Sequence, residues 1–521
     1  MEKLIQLRGQ VLSWQNLAIL VTIYVVTLSV YRLFLHPLAR FPGPKLAAVT
    51  RYYEAYFDVL QEGQYTFKIA ELHKKYGPIV RISSYELHVN DPAFHEKLYR
   101  QEGRWDKYGW AVNAFGTHGA SISKVPHDLH KARRQPLNPF FSKTKVVARE
   151  DFINRNIAVL CDRLSQFANT AEKTKTVVDL GAAISALSRD VACEFILDRK
   201  YAHLERQDFH VGVTNMLQSA GPIWRITKHA PWFGPLVHSI PPGIMMKIAD
   251  ENTRAFFQYL QESERDTKDL LRIAHSSSGA HNEPPSSPRT IVHEIVDSKL
   301  PLAEKGFERV MFEVATVTGA GNETTAGVLR LVLYHVFADR AILQRLRAEL
   351  DDAATLELKA LEQLPYLTSV IMEGMRLSPA IGSRSSRIAP DRDLVYGEGK
   401  RALRIPAGTP VGMTTILMHT DEASYPEPLS FRSDRGMGLD AGARRRLDKA
   451  YAPFSKGTRM CLGMHLAWAE MYLAVAQVVQ RFDFEFQGVD ATTFHMQSDQ
   501  FIIKTKGIAA LNAAVTLREA C

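Results

Sequence analysis

The run Phe454-Ser-Lys-Gly457-Thr-Arg459-Met-Cys461-Leu-Gly463 gathers a thiol, a guanidinium and two glycines within ten residues. A cysteine ligates metals as its thiolate. Gly457 and Gly463 flank it, and glycine allows dihedrals and close backbone approach that other residues resist. Backbone N–H groups in such a loop can point at the sulfur and tune it, as outer-shell donors do. Arg459, two residues upstream, suits a carboxylate on the edge of a flat cofactor. The run reads as a tight loop around a metal-bound thiolate. Its rival is a buried cysteine in a glycine-containing loop.

A second constellation, Ala320-Gly321-Asn322-Glu323-Thr324-Thr325, lies inside a stretch without proline from Glu304 to about Ala338. That stretch predicts a helix much longer than usual. An acid, an alcohol and a glycine in its middle run against helix propensity. Ala320 and Thr324 share a face, and the Thr324 hydroxyl can bond back to the Ala320 carbonyl. The alternative is a surface turn that happens to carry these residues. Glu373-Gly-Met-Arg376 places an acid and a base at i,i+3, a pairing common on solvated helices.

These residues need elements to hold them. The chain has 521 residues, 46% hydrophobic and 23% charged, which is ordinary globular composition. No linker divides it cleanly. Cys161, Cys193, Cys461 and Cys521 show no paired spacing, which argues against a disulfide framework. The net charge of +8 comes without a Lys/Arg block or recognition motif. Nucleic acid is therefore not expected, whereas a membrane surface or an acidic protein partner suits that balance. Leu17–Phe34 is predominantly apolar, holds one charge, Arg32, near its end, and has about the minimum length to span a bilayer. Arg32, Arg40, Lys45 and Arg51 follow it, and only Lys3 and Arg8 precede it, so the body should face the cytosol. A cleaved signal peptide is the rival, but Val30 to Pro37 lacks a small-x-small pattern. Phe41-Pro42-Gly43-Pro44 predicts a stiff elbow. Pro78–Val89 predicts a hairpin around Ser83-Ser84, Val147–Phe167 a helix and Leu394–Met413 β-structure. Ser276–Pro288 reads as an exposed loop.

The pattern Phe-x-x-Gly-x-Arg-x-Cys-x-Gly resembles the haem-ligand signature of the cytochrome P-450 superfamily, the haem–thiolate monooxygenases. Ala320–Thr325 is similar to the family's Ala/Gly-Gly-x-Asp/Glu-Thr-Thr motif, and Glu373–Arg376 stands where its Glu-x-x-Arg stands. Two departures occur. Ser433-Asp434-Arg435 replaces the usual Pro-Glu-Arg, and His130 takes the Trp position of a Trp-x-x-x-Arg that here ends at Arg134. The Phe41-Pro-Gly-Pro-Lys-Leu-Ala-Ala48 entry and Leu137-Asn-Pro-Phe-Phe-Ser142 most resemble the fungal secondary-metabolism branch that includes trichodiene oxygenase.

The resemblance implies a mainly α fold with a small β-rich lobe, with an N-terminal transmembrane anchor over 1–36 and a haem–thiolate domain over 37–521. It implies haem iron ligated by Cys461, with Phe454 and Gly457 shaping the loop. Arg459, Arg387, Arg134 and His130 would meet the haem carboxylates. Thr324 would hold water and dioxygen at the haem, and Glu323 would relay protons. Glu373 and Arg376 would form a structural network with Arg435. Electrons would come from NADPH through NADPH–cytochrome reductase, with the protein a single-pass endoplasmic reticulum membrane protein whose catalytic domain is cytosolic. The substrate would be an apolar terpenoid, polyketide or indole-derived intermediate. Candidate substrate contacts are Trp110–Ser121, Met311–Ala320, Ile381–Arg384 and the region of Phe501; Arg384 reads as a structural charge or as a cation facing the pocket. A haem–thiolate isomerase or dehydratase and a non-catalytic haem protein stay open, although the Glu323-Thr324 pair favours the oxygenase.

Overall fold

The computed structural model describes residues 14–519 apart from 175–176, 241–242, 245–246, 248, 278–288, 400–401 and 508–510. The described residues begin with α1 (Trp14–Val30), which continues into a π-helical turn, Tyr31–Leu35. The 22 residues Trp14–Leu35 are apolar enough to cross a membrane, and none of the span's apolar window is buried. At about 1.5 Å per residue the span is about 33 Å long, the thickness of a bilayer core. The elbow then packs firmly. Leu38 and Phe41 are buried, and Arg81 N–H donates to Pro42 O at 2.7 Å.

The body is mostly helical. Its main core joins α2 (Glu150–Thr174), α3 (Leu180–Leu197), α5 (Phe307–Ala338), α6 (Pro365–Leu377) and α7 (Met464–Arg481). Helix α4 (Val211–His229) crosses α5 nearer the surface. Helix α3 is buried along all 18 residues, and its charged side chains find partners inside: Arg189 donates to Thr214 at 2.6 Å and Glu194 accepts from Arg155 at 2.9 Å. Asp179 caps it by accepting from Ala182 N–H at 2.8 Å. Small residues set the spacing of the core. A Cβ on Gly321 would sit 3.0 Å from Ala192 of α3, and one on Gly374 would overlap Val332 of α5. The long helix starts at Phe307 rather than Glu304, because a 3-10 turn, Leu302–Lys305, precedes it.

The β-structure is short and peripheral. Ile79–Arg81 and Leu87–Val89 form the expected hairpin. That hairpin belongs to a five-stranded sheet in which Leu87–Val89 runs parallel to Val411–Gly412, followed by Arg387–Ile388 and Asp106–Lys107. Leu394–Tyr396 pairs with Leu403–Ile405, and Met496–Gln500 pairs with Ile502–Thr505. Val147–Phe167 is realised as α2. Of the polar run Ser276–Pro288, Ser276 and Ser277 end a helix, Glu251–Ser277, and 278–288 lies outside the described residues.

Glu373 and Arg376 are not solvated. Both are buried, with Arg376 Nε 2.8 Å and Nη2 2.9 Å from the Glu373 carboxylate. Arg435 Nε reaches the same carboxylate at 3.0 Å, and Arg376 Nη1 donates to the carbonyls of His419 and Pro428. This triad ties the 419–435 segment to α6, which fixes where the following cysteine loop begins.

Candidate active site

The cysteine loop lies between the end of a short helix, Ala441–Ala450, and the start of α7. Cys461 N–H donates to Phe454 O at 3.0 Å, and Met460 N–H donates to Gly457 O at 3.1 Å. Gly457 has φ +76°, and a Cβ there would lie 2.6 Å from Arg100 O and 2.7 Å from Tyr99 C. Both its conformation and its contact with the 99–100 backbone therefore require glycine. Phe454 packs beside Trp468 of α7, with centroids 6.3 Å apart. Protein surrounds the Cys461 sulfur, and that burial pushes its thiol up; the Gly463 N–H and Arg134 act in the opposite direction. Solvent nonetheless reaches the side chain, so the thiol is not packed against another group.

Five basic residues converge near this loop. Arg459 is buried and donates to the carbonyls of Lys124 at 2.7 Å, Val125 at 2.9 Å and Trp105 at 3.3 Å. Arg134 Nη1 donates to Met460 O at 2.6 Å, holding the residue before the cysteine. Arg387 is buried, its guanidinium 5.0 Å from the centre of the Tyr99 ring. His130 is buried one turn before Arg134. Lys107, which nothing in its local sequence marks, stands directly across the strand pair from Arg387. Like charges in that register repel.

These groups depress one another. Burial, Arg387 and Arg134 push Arg459 down to about 9. Burial, Arg459, Lys107 and the other arginines push His130 down to about 2. Lys107 lies well below its usual value through burial, then Arg387, Arg459 and Arg134. Among the described residues none of the five forms an ion pair with a carboxylate, and Arg459 Nε and His130 Nδ1 are buried without a hydrogen-bond partner. Buried cations and donors left in this state are costly unless something anionic completes them. A flat cofactor with two carboxylates, placed against an accessible thiol, fits these residues.

Helix α5 supplies the other constellation. Thr324 Oγ1 donates to Ala320 O at 2.8 Å, as the i,i+4 spacing predicts, and the helix continues unbroken through it. Ala320 is exposed in mid-helix. Glu323 turns instead toward α3. It is buried, 3.1 Å from Arg330 Nη2 and 3.8 Å from Arg189 Nη1. Arg330 in turn donates to Ser185 Oγ at 2.5 Å. The acid and the alcohol are adjacent in sequence but serve different faces. Arg330 lies two turns further along α5, on the face it shares with Glu323, whereas Arg189 lies on α3 and only packing brings it near.

Arg384 is a structural charge rather than a cation facing the pocket. It bridges Glu54 at 2.9 Å and Glu86 at 2.9 Å, and those two acids raise it well above its usual value against the cost of burial.

The chain matches the cytochrome P-450 family model over residues 53–511. It is similar to fungal proteins across nearly its whole length. A cytochrome P-450 monooxygenase of Cochliobolus heterostrophus is 39% identical over 461 residues, 87% of this chain and 85% of the relative. The tryptophan 6-hydroxylase of Fusarium equiseti is 37% identical over 501 residues, 95% of each. The N-acetyltryptophan 6-hydroxylase of Emericella nidulans is 34% identical over 497 residues, 94% of each. A buried cationic cradle around an accessible thiol is what a haem–thiolate enzyme requires, and with these matches the chain belongs to the cytochrome P-450 family, as a haem-dependent monooxygenase of fungal secondary-metabolism type.

Proposed function

We propose that this protein inserts one oxygen atom of dioxygen into an apolar secondary-metabolite intermediate, with electrons from NADPH delivered by NADPH–cytochrome reductase. The observation that carries this reading is the cluster of five basic residues, without a paired acid among the described residues, beside a thiol that accepts the Gly463 N–H. Cys461 Sγ ligates the iron. Arg459, Arg387, Arg134 and Lys107 bind the haem carboxylates, and His130 donates to them as a neutral imidazole. Gly457 and Phe454 keep the loop flat. Bound haem supplies dioxygen activation and oxygen insertion, helped by electron density from the thiolate.

The chain's own groups handle protons and access. The Thr324 hydroxyl, anchored on Ala320 O, holds water on the face it shares with Ala320. Glu323 Oε1 has no hydrogen-bond partner among the described residues, and it carries protons inward when its contact with Arg330 loosens. The intact acid–alcohol pair favours this reading over an isomerase, a dehydratase or a non-catalytic haem protein. The two tryptophan-type hydroxylases among the relatives support an aromatic carbon as the target among the terpenoid, polyketide and indole-derived scaffolds. Residues 1–36 serve as a single-pass anchor in the endoplasmic reticulum membrane, and 37–521 form one catalytic domain on the cytosolic side. The apolar span and the basic residues after it support that topology.

The test is spectroscopic and kinetic. Cys461→Ser should lose the thiolate band of the reduced CO complex, and a variant that keeps it rejects the ligand. Thr324→Ala should still consume NADPH while product formed per NADPH falls by about tenfold or more. Unchanged coupling rejects the proton role.

A further inference from the structure

Three aromatic rings meet where α4 crosses the 3-10 turn Asn113–Phe115 and the tip of the Met496–Thr505 hairpin. Phe115 stacks on Trp224 with centroids 5.7 Å apart and 23° between planes. Phe501 meets Phe115 edge-on at 4.6 Å and lies 5.7 Å from Trp224. Both neighbours of Trp224 belong to segments that the sequence marks as substrate contacts; Trp224 itself carries no such mark. The triangle is fastened to the site from two sides. The Ser121 N–H and hydroxyl donate to Glu313 of α5 at 3.0 and 2.6 Å, about two turns before Ala320. Phe501 O accepts from Gly382 N–H at 2.9 Å, five residues before Arg387.

Three features set the triangle apart from ordinary core packing. Phe501 has φ +71°, a left-handed conformation that costs a residue with a side chain about 1–3 kcal/mol and is typically retained at functional sites. Its ring and that of Phe115 stay only half-buried. Trp224 is 8% exposed, and its indole Nε1–H has no hydrogen-bond partner among the described residues. A buried donor left unused points to an acceptor that arrives with a ligand.

Charge narrows the acceptor. Lys228 lies 4.6 Å from the Trp224 ring centre and is already paired with Glu54 and Asp58. Arg384 is shared between Glu54 and Glu86, and His229 lies 3.1 Å from Asp58. The buried Arg225, adjacent to Trp224, adds a third permanent cation facing Asp58, so three carboxylates meet three permanent cations and the cluster holds no net charge for an ionic ligand to pair with, which favours a neutral one.

We infer that Phe115, Trp224 and Phe501 select a neutral, planar aromatic substrate that presents a carbonyl or ether oxygen to Trp224 Nε1. This rests on the oxygenase reading above and names its substrate class. Rings of this kind stack on aromatic faces better than saturated ones do.

The experiment titrates ferric holoenzyme with four bicyclic probes of similar size and follows the high-spin shift. The probes are 1-tetralone, tetralin without the oxygen, 1-decalone without the aromatic ring, and anionic 1-naphthoate. The wild type should bind 1-tetralone about tenfold more tightly than each of the others. Trp224→Phe keeps a ring but removes the donor, and should bring tetralone and tetralin to parity. Phe115→Leu should reduce the tetralone-over-decalone preference about fivefold and serves if Trp224→Phe does not fold. Equal binding of tetralone and tetralin by the wild type, tightest binding of naphthoate, or an unchanged ratio in Trp224→Phe would overturn the inference. The reduced CO complex of the same samples depends on Cys461 and not on Trp224. An intact CO band without ring preference therefore counts against this inference alone.

Discussion

Arg384 and Arg387 stand three residues apart on one segment, and both guanidinium groups are buried, yet they are in opposite electrostatic states. Arg384 is gripped by Glu54 and Glu86, which raise it well above its usual value. Among the described residues Arg387 meets no acid, only the Tyr99 ring and nearby serine oxygens, and burial lowers it. Its neighbour Arg459 is pushed down to about 9. Burial is common to both, so burial does not distinguish structure from function here. The partner does. A buried cation with carboxylates is complete within the chain, and removing it leaves uncompensated charge. A buried cation without one is completed from outside. The Arg384 network, with Lys228, joins the N-terminal segment, the first hairpin and the end of α4, whereas the Arg387 group faces the thiol.

The largest break in this contrast should come from Arg384→Met. It strands Glu86 in the interior and leaves Glu54 with Lys228 alone, and urea unfolding of the holoenzyme should show a loss of about 3–5 kcal/mol. A loss below about 1 kcal/mol would mean that the pair is screened like a surface bridge.

Glu470 offers the mirror image, a buried acid without a cation. Among the described residues Ser188 alone hydrogen-bonds its carboxyl, and burial pushes it from 4.5 to about 7. The folded protein then holds this proton up to about pH 7, while the unfolded chain releases it near 4.5. The folded state binds more protons across that window, so stability should fall as pH rises through it, by about 3 kcal/mol in total, and level off above. Glu470→Gln keeps a partner for Ser188 and should flatten that slope in unfolding curves taken across the window. A slope equal to wild type would place the titration elsewhere.

The smallest effect on folding should come from Arg459→Met. It removes a cation that other cations already repel, so stability should change by no more than about 1 kcal/mol. Haem transfer to an acceptor apoprotein should nonetheless speed up about tenfold, the loss of one charge-assisted contact. Marked unfolding with unchanged haem retention would erase the distinction between the two arginines.

Local chemistry made much of this protein readable without coordinates. The apolar span, the proline elbow, the long helix and the Phe-x-x-Gly-x-Arg-x-Cys-x-Gly loop rest on spacing and on the dihedral limits of proline and glycine. Those properties act within a few residues. The Thr324–Ala320 bond belongs with them, because i and i+4 meet on any helix. Lys107 and Trp224 were out of reach for the opposite reason. Lys107 matters because the strand register sets it across from Arg387, and Trp224 because α4 crosses a turn about 110 residues upstream and a hairpin tip far downstream. Ion pairing is equally non-local. Arg384 finds Glu54 and Glu86 roughly 300 residues away in the chain, while Arg387, three residues on, finds no carboxylate among the described residues. The sequence alone pointed to the family and to most of the residues proposed for its haem–thiolate centre. The tertiary structure alone decided which buried charges are already satisfied and which are left for a ligand, because that depends on distances between segments that no local rule sets.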